Sequence, residues 1–148
     1  MATRVERSER LLRYIQALDM RINAAMDLAG EVVATEARKN VQRSPRGGRT
    51  YQKYNPRRTH KASKAGQAPA TDQGGLVRSI SSDANRQTKV IYVYSSHAIA
   101  PYARALEYGS MSSNLAPRPF LRPALTAKRD KVLEIMSKAL TTAMRDAR

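Results

Sequence analysis

The side chains best placed for chemistry are cationic and clustered. Arg46, Arg49, Lys53, Arg57, Arg58, Lys61 and Lys64 follow one another in a stretch that also carries Tyr51, Tyr54 and His60. Every charged residue from Arg38 to Lys64 is basic. Cations at this density neutralise phosphates, and interleaved rings offer planes on which bases stack, so non-specific nucleic-acid binding is one chemistry open to the stretch. Docking on an acidic protein surface is the other, and it needs the cations without the rings. Nothing in the pattern supports reading of base sequence.

Catalysis has few candidates. His60 and His97 are the only two histidines, and neither stands at a metal-ligand spacing from the other or from a carboxylate cluster. Glu107, within Glu107-Tyr108-Gly109, has no second carboxylate or histidine paired with it, as general acid-base work requires. It reads as a carboxylate offered, beside Tyr108, to an arginine of a neighbouring subunit, or as a satisfied structural group at the end of an element. The serine-rich run Ser110 to Asn114 lacks the strand-turn-helix setting of a nucleophile elbow. No phosphate-cradling glycine loop occurs. The absence of cysteine removes disulfides, thiolate zinc and a thiol nucleophile together. The expectation is a protein that is not an enzyme and takes no cofactor and no metal.

The elements that must position these residues follow from periodicity. From Ser8 to Val41, apolar or small residues recur at steps of three and four through Leu11, Ile15, Leu18, Ile22, Ala25, Ala29 and Val32, which predicts one long amphipathic helix. Gly30 stands where such a helix could bend. Ser44-Pro45-Arg46-Gly47-Gly48 ends it, because proline cannot continue the bonding and glycine terminates cheaply. From about residue 44 to 70 the chain has three prolines and hardly an aliphatic side chain. That composition predicts an irregular basic arm, disordered in the free subunit and ordered against a partner.

A turn at Thr71-Asp72-Gln73-Gly74-Gly75 returns the chain to the core through Leu76 to Ile80. Strands are expected from Ile80 to Asn85 and, β-branched and aromatic throughout, from Lys89 to Ser95. Ala98 to Gly109 reads as a short helical or extended element. A last helix begins near Pro119 or Pro123 and runs to about Met144, with Leu125, Val132, Ile135, Met136, Ala139, Leu140, Ala143 and Met144 on one face. The 148 residues suit a single domain, numbered 1–148, able to bury roughly 70% of its unfolded surface. The predicted fold class is α+β: a long N-terminal helix, an extended basic arm, a small antiparallel sheet, and a C-terminal helix packed on the sheet.

Four pieces of the sequence, in order, carry a family resemblance. They are His60 to Pro69 with Gly66-Gln67-Ala68-Pro69; Asp72-Gln73-Gly74-Gly75-Leu76-Val77-Arg78-Ser79-Ile80; Tyr102-Ala103 with Glu107-Tyr108-Gly109-Ser110; and Arg118-Pro119-Phe120-Leu121-Arg122-Pro123-Ala124-Leu125. This order resembles the tail-completion family of siphophages, also known as minor head-tail joining or neck proteins. The chain departs from the family's pattern at Ala68, where proline is usual, and at Ser110, where threonine is. The motifs span Ala65 to Leu125 and leave the first helix and most of the arm uncovered.

The resemblance implies a structural virion protein of a tailed bacteriophage, made in the host cytoplasm, that forms a homo-oligomeric ring, six-fold like the tail it caps. DNA would pass through the ring without specific recognition. Its partners would be further copies of itself and the adjoining neck and tail proteins: a head-completion or connector protein, a tail terminator or the tail tube. A tail terminator is an alternative within the same class, and a non-specific nucleic-acid-binding protein an alternative outside it. Read from the residues alone, Phe120 and Leu121 are an apolar anchor between two stiffening prolines. Arg118 and Arg122 are either contacts to a neighbouring subunit or solvated charges. The net charge of +15 agrees with either partner for the arm. The first residues, Arg4 to Arg10, contain no apolar run of leader length, and the Ala-rich helices favour packing in a ring over membrane binding.

Overall fold

The helical periodicity of the first third is realised as a single unbroken helix. In the computed structural model, which describes residues 4–145, α1 runs Arg4–Gln42, about 58 Å at 1.5 Å per residue. The helix continues through Gly30 without a break. A Cβ there would stand 3.0 Å from Ile91 Cγ2 and 3.0 Å from Ser82 Cβ, so glycine is what lets the sheet lie directly on the helix.

The remaining elements are β1 (Thr50–Tyr54), β2 (Arg57–Lys61), α2 (Gly75–Ser79), β3 (Ile80–Asn85), β4 (Val90–Ser95), α3 (Ala103–Tyr108) and α4 (Leu121–Arg145). The strands form two separate two-stranded antiparallel sheets, β1 with β2 and β3 with β4. The α+β class is as the pattern predicts.

The inner face of β3 and β4 is Ile80, Ser82 and Ala84 opposite Ser95, Val93 and Ile91, and it packs on α1. Lys89, in the turn between the two strands, reaches Asp19 and Asn23 of α1 and ties that end down. Val33, Ala34, Ala37 and Val41 of α1 meet Leu76, Ile80, Ala100, Ala103, Phe120 and Ala124 in one buried cluster. Alanine at so many contacts lets backbones approach closely, which compensates for a chain with one Phe and no Trp.

Two details differ from the sequence reading. The C-terminal helix lies chiefly along α1, and α1 is the element that covers the sheet. The two helices run in opposite senses: Asn40 Nδ2 donates to the Phe120 carbonyl at 3.3 Å, and Lys128 meets Glu36 at 3.2 Å. The reason is area, since a two-stranded sheet has one inner face and α1 already occupies it.

The second detail is the basic arm. Its central part is an ordered hairpin, with Thr50 opposite Lys61 and Tyr54 opposite Arg57, joined through Asn55 and Pro56. Backbone bonds from Gly48 to Ala62 (2.8 Å) and from Ala62 to Arg49 (3.0 Å) extend it, and Gly66 bonds to Pro117 at 2.9 Å. The hairpin has no apolar face because it needs none. Its β propensity comes from Thr50, Tyr51, Tyr54 and Thr59, and charge holds it to the body.

Candidate functional site

Two of the sequence motifs meet in one junction. Helix α4 begins with backbone N–H groups that have no acceptor within the helix. The Glu107 carboxylate, carried on α3 and 3% exposed, accepts from three of them: Phe120 N at 2.7 Å, Leu121 N at 3.1 Å and Arg122 N at 3.0 Å. Its negative charge also sits at the positive end of the α4 dipole. Gly109, at φ 81, turns the chain away immediately afterwards, where a Cβ would lie 2.9 Å from the Leu115 carbonyl. Glu107 is therefore an N-terminal cap supplied from another helix.

The arginines of the run fold back onto the same junction. Arg122 lies 4.9 Å over the Tyr108 ring, with its Nε 3.5 Å from Glu107. Arg118 donates through Nε to the Ser63 carbonyl at 3.3 Å, and its backbone N–H bonds to Leu106 at 2.6 Å. Phe120 is fully buried in the core cluster. Of the residues offered as subunit or neck-partner contacts, Glu107 and Phe120 are buried within the chain, as the structural reading of the carboxylate and the anchor reading of the ring have it, and Arg118 is engaged within the chain. Tyr108 and Arg122 remain accessible at 64% and 63%.

The hairpin sorts the basic residues by face. Side chains alternate along a strand, so Tyr51, Lys53, Arg58 and His60 share one face while Thr50, Gln52, Tyr54, Arg57, Thr59 and Lys61 share the other. The first face turns to the body and meets Asp72: Lys53 Nζ at 2.5 Å, the Arg58 guanidinium, and His60 Nδ1 at 3.7 Å. Burial tends to raise the Asp72 pKa, but the bonds from Lys53 and Arg58 outweigh it and hold the carboxyl below the usual range. Burial, together with the cations Lys53, Arg46 and Arg58, pushes His60 down against the pull of Asp72.

Asp72 is the one functional organiser that sequence reasoning missed. It was legible as the sole carboxylate between Glu36 and Asp83, inside a stretch crowded with cations. Of the remaining arm residues, Arg46 donates to the Thr71 carbonyl at 3.3 Å, Arg49 stands 5.6 Å over Tyr51, and the Lys64 stem lies against Gly47. The outward face presents Tyr54, 80% exposed, beside Arg57 and Lys61, neither of which has a partner among the described residues.

Between hairpin, α2 and α3 lies a cavity of about 530 Å³ lined by Lys53, Arg58, His60, Arg78, Tyr102 and Arg118. Its cations are pinned by Asp72 or by backbone carbonyls. No group of three or more potential metal-ligating side chains occurs among the described residues, and no described helix is long and apolar enough to cross a membrane. No protein-family model matches the chain, and neither a curated protein nor a solved structure matches it. Among the arm and motif residues, those left open to a partner are Tyr54, Arg57 and Lys61 on the outward hairpin face, and the Tyr108 and Arg122 stack.

Proposed function

We propose that the chain is a structural, non-enzymatic virion protein of a tailed bacteriophage, a tail-completion subunit that joins head to tail in a ring around the DNA channel. The observation that carries this reading is the Glu107 junction. The Glu-Tyr-Gly motif and the Arg-Pro-Phe-Leu-Arg-Pro run, separated along the chain by a serine-rich loop, form one mechanical unit that fixes where α4 leaves the core. A family pattern built from such a unit has a physical reason to recur as a set.

Exposed apolar side chains lend further support. Leu11, Leu12 and Ile15 on α1, and Leu133, Leu140 and Met144 on α4, stand open on the surface of a chain that carries +15 charge. Apolar area of this kind ordinarily marks contact with another protein. Mass measurement with and without DNA tests the proposal: a discrete ring in the absence of DNA is expected. A lasting monomer that binds generic DNA strongly and loses it steeply with salt overturns it in favour of a nucleic-acid-binding protein. That second reading is favoured by Tyr54, Arg57 and Lys61 sharing the outward face. Electron microscopy of a particle neck with this chain located would separate tail completion from a tail terminator.

A further inference from the structure

The β3–β4 sheet has two edges, and the chain treats them differently. Which backbone groups point outward follows from one bond beyond the register: Ser96 N–H donates to the Ser79 carbonyl at 2.8 Å, so those two residues face each other across the ladder. Orientation alternates along an antiparallel strand. Val90, Tyr92 and Tyr94 therefore bond inward to β3, while the N–H and C=O groups of Ile91, Val93 and Ser95 point away from it. By the same alternation the Ile80 carbonyl points out of the β3 edge, and there the Arg38 guanidinium donates to it through Nε at 3.2 Å and a terminal nitrogen at 2.9 Å. The β3 edge is thus capped at that point. The outward groups of Ile91, Val93 and Ser95 have no partner among the described residues.

That open edge forms one wall of a groove of about 500 Å³. Five successive residues, 91–95, line it, which a strand can do only with its edge, because its two faces point in opposite directions. Its apolar lining is Leu121 and the exposed Leu125, with the buried Val33 and Phe120 behind them, and Arg104 and Arg122 line it as well. Unpaired backbone groups beside an apolar lining are the requirements for strand addition, in which main-chain bonds supply affinity and alternate side chains supply choice.

We propose that this groove binds an extended segment of a different protein, which adds as a third strand on β4. The exposed length of about 13 Å over residues 91–95 takes four or five residues at the usual rise. Side chains directed inward would be aliphatic, to meet Leu121 and Leu125. Those directed outward lie beside Tyr92 and Tyr94, both exposed, and at least one carboxylate would answer Arg104, which has no ion-pair partner among the described residues. A second copy of this chain fits poorly. Its hairpin strands would bring Arg57 and Lys61 toward Arg104, its β3 edge has Arg38 on the Ile80 carbonyl and Asp83 on the Ala84 N–H, and two facing β4 edges would place the Arg104 and Arg122 pairs of both copies together. The inference does not depend on the virion reading, since it concerns an edge and not an assembly.

The probe is a short capped peptide of alternating valine and threonine with an aspartate at each end, added to the full chain. Saturable binding is expected, with hydrogen exchange slowed at the Ile91, Val93 and Ser95 amides. N-methylation of one alternate set of peptide nitrogens should abolish binding while methylation of the other set leaves it unchanged, and lysine in place of aspartate should weaken it about fivefold. Arg104→Glu, on an exposed side chain, should weaken the aspartate peptide by a similar factor with an unchanged circular dichroism spectrum. Absence of saturation at millimolar peptide, or equal tolerance of both methylated sets, overturns strand addition. Slowing of the same amides by protein concentration alone overturns the choice of a different protein, because a second copy would then be the occupant.

Discussion

Replacing Glu107 by alanine distinguishes a cap from a subunit contact. The substitution removes the acceptor of three backbone N–H groups in a position that is 3% exposed. An unsatisfied buried donor costs about 1–3 kcal/mol, and loss of a helix cap alone typically costs about 1 kcal/mol. The three donors share one acceptor and water can reach the Arg122 side, so the terms do not add in full; a loss of about 3–5 kcal/mol is expected. Against a total stability of about 5–15 kcal/mol this is severe, and at about 2–4 °C per kcal/mol it lowers the melting temperature by roughly 10 °C. Glu107→Gln keeps a carbonyl oxygen but forfeits the charge and should lose about 1–2 kcal/mol. Thermal and urea unfolding followed by circular dichroism at low protein concentration measures both. A Glu107→Ala chain that melts within about 2 °C of the parent, yet fails to assemble, would refute the capping argument and restore the carboxylate as a contact between subunits.

Other perturbations address the remaining elements. Asp72→Asn should free the hairpin, seen as faster tryptic cleavage at Lys53, Arg57 and Arg58, while global stability falls by only about 1–2 kcal/mol because the pairs are partly solvated. Acidification should act in the same sense. His60 has its folded pKa below its unfolded one, so docking is fully favoured above about pH 6.5 and weakens as pH falls toward the folded value; the depressed Asp72 then loses its share below about pH 4. NMR chemical shifts of the hairpin amides that do not change between about pH 7 and 4 contradict this. Gly30→Val should cost about 2–3 kcal/mol, because even a Cβ stands 3.0 Å from Ile91 and Ser82, and an unchanged urea midpoint would deny the close helix-sheet approach. Phe120→Ala should cost about 3–5 kcal/mol as a core truncation, with assembly failing only as a consequence of unfolding.

The long helices and the β3–β4 pair were legible because each carries its own periodicity: Leu18, Ile22, Ala25 and Ala29 on one helical face, and Val90 to Tyr94 as a β-branched and aromatic run. The hairpin was not, because strand patterns are recognised by burial alternation and both of its faces are polar. What alternates there is the destination of the charge, toward Asp72 or toward solvent, and that becomes visible only once Asp72 is placed. The role of Glu107 was hidden for a similar reason. A cap within one segment shows as a spacing of a few residues, whereas this carboxylate reaches across the loop from α3 to the start of α4. Both halves of the junction stand out as motifs, but only the fold joins them.

The same sorting changes how the excess charge should be read. Seven arm cations suggest a broad positive surface, but Lys53 and Arg58 both turn onto Asp72, which offsets one of the two charges, Arg46 is held on Thr71, Arg49 stacks on Tyr51, and the Lys64 stem lies against Gly47. A partner approaching the outward hairpin face meets Tyr54, Arg57 and Lys61. Charge reversal of Arg57 and Lys61 together should therefore abolish whatever the hairpin binds, DNA or protein, without changing the fold, whereas reversal at Lys53 or Arg58 should loosen the hairpin first and affect binding only through that. If DNA is the ligand, neutralising the outward pair makes the plot of log K against log salt shallower by about two, since each phosphate that a cation neutralises adds about 0.9 to the slope. A change of that size at Arg57 and Lys61, with Lys53→Gln leaving the slope unchanged, would identify the outward face as the phosphate-binding surface. Equal slopes for all variants would mean that the hairpin does not touch DNA and that its cations serve a protein neighbour.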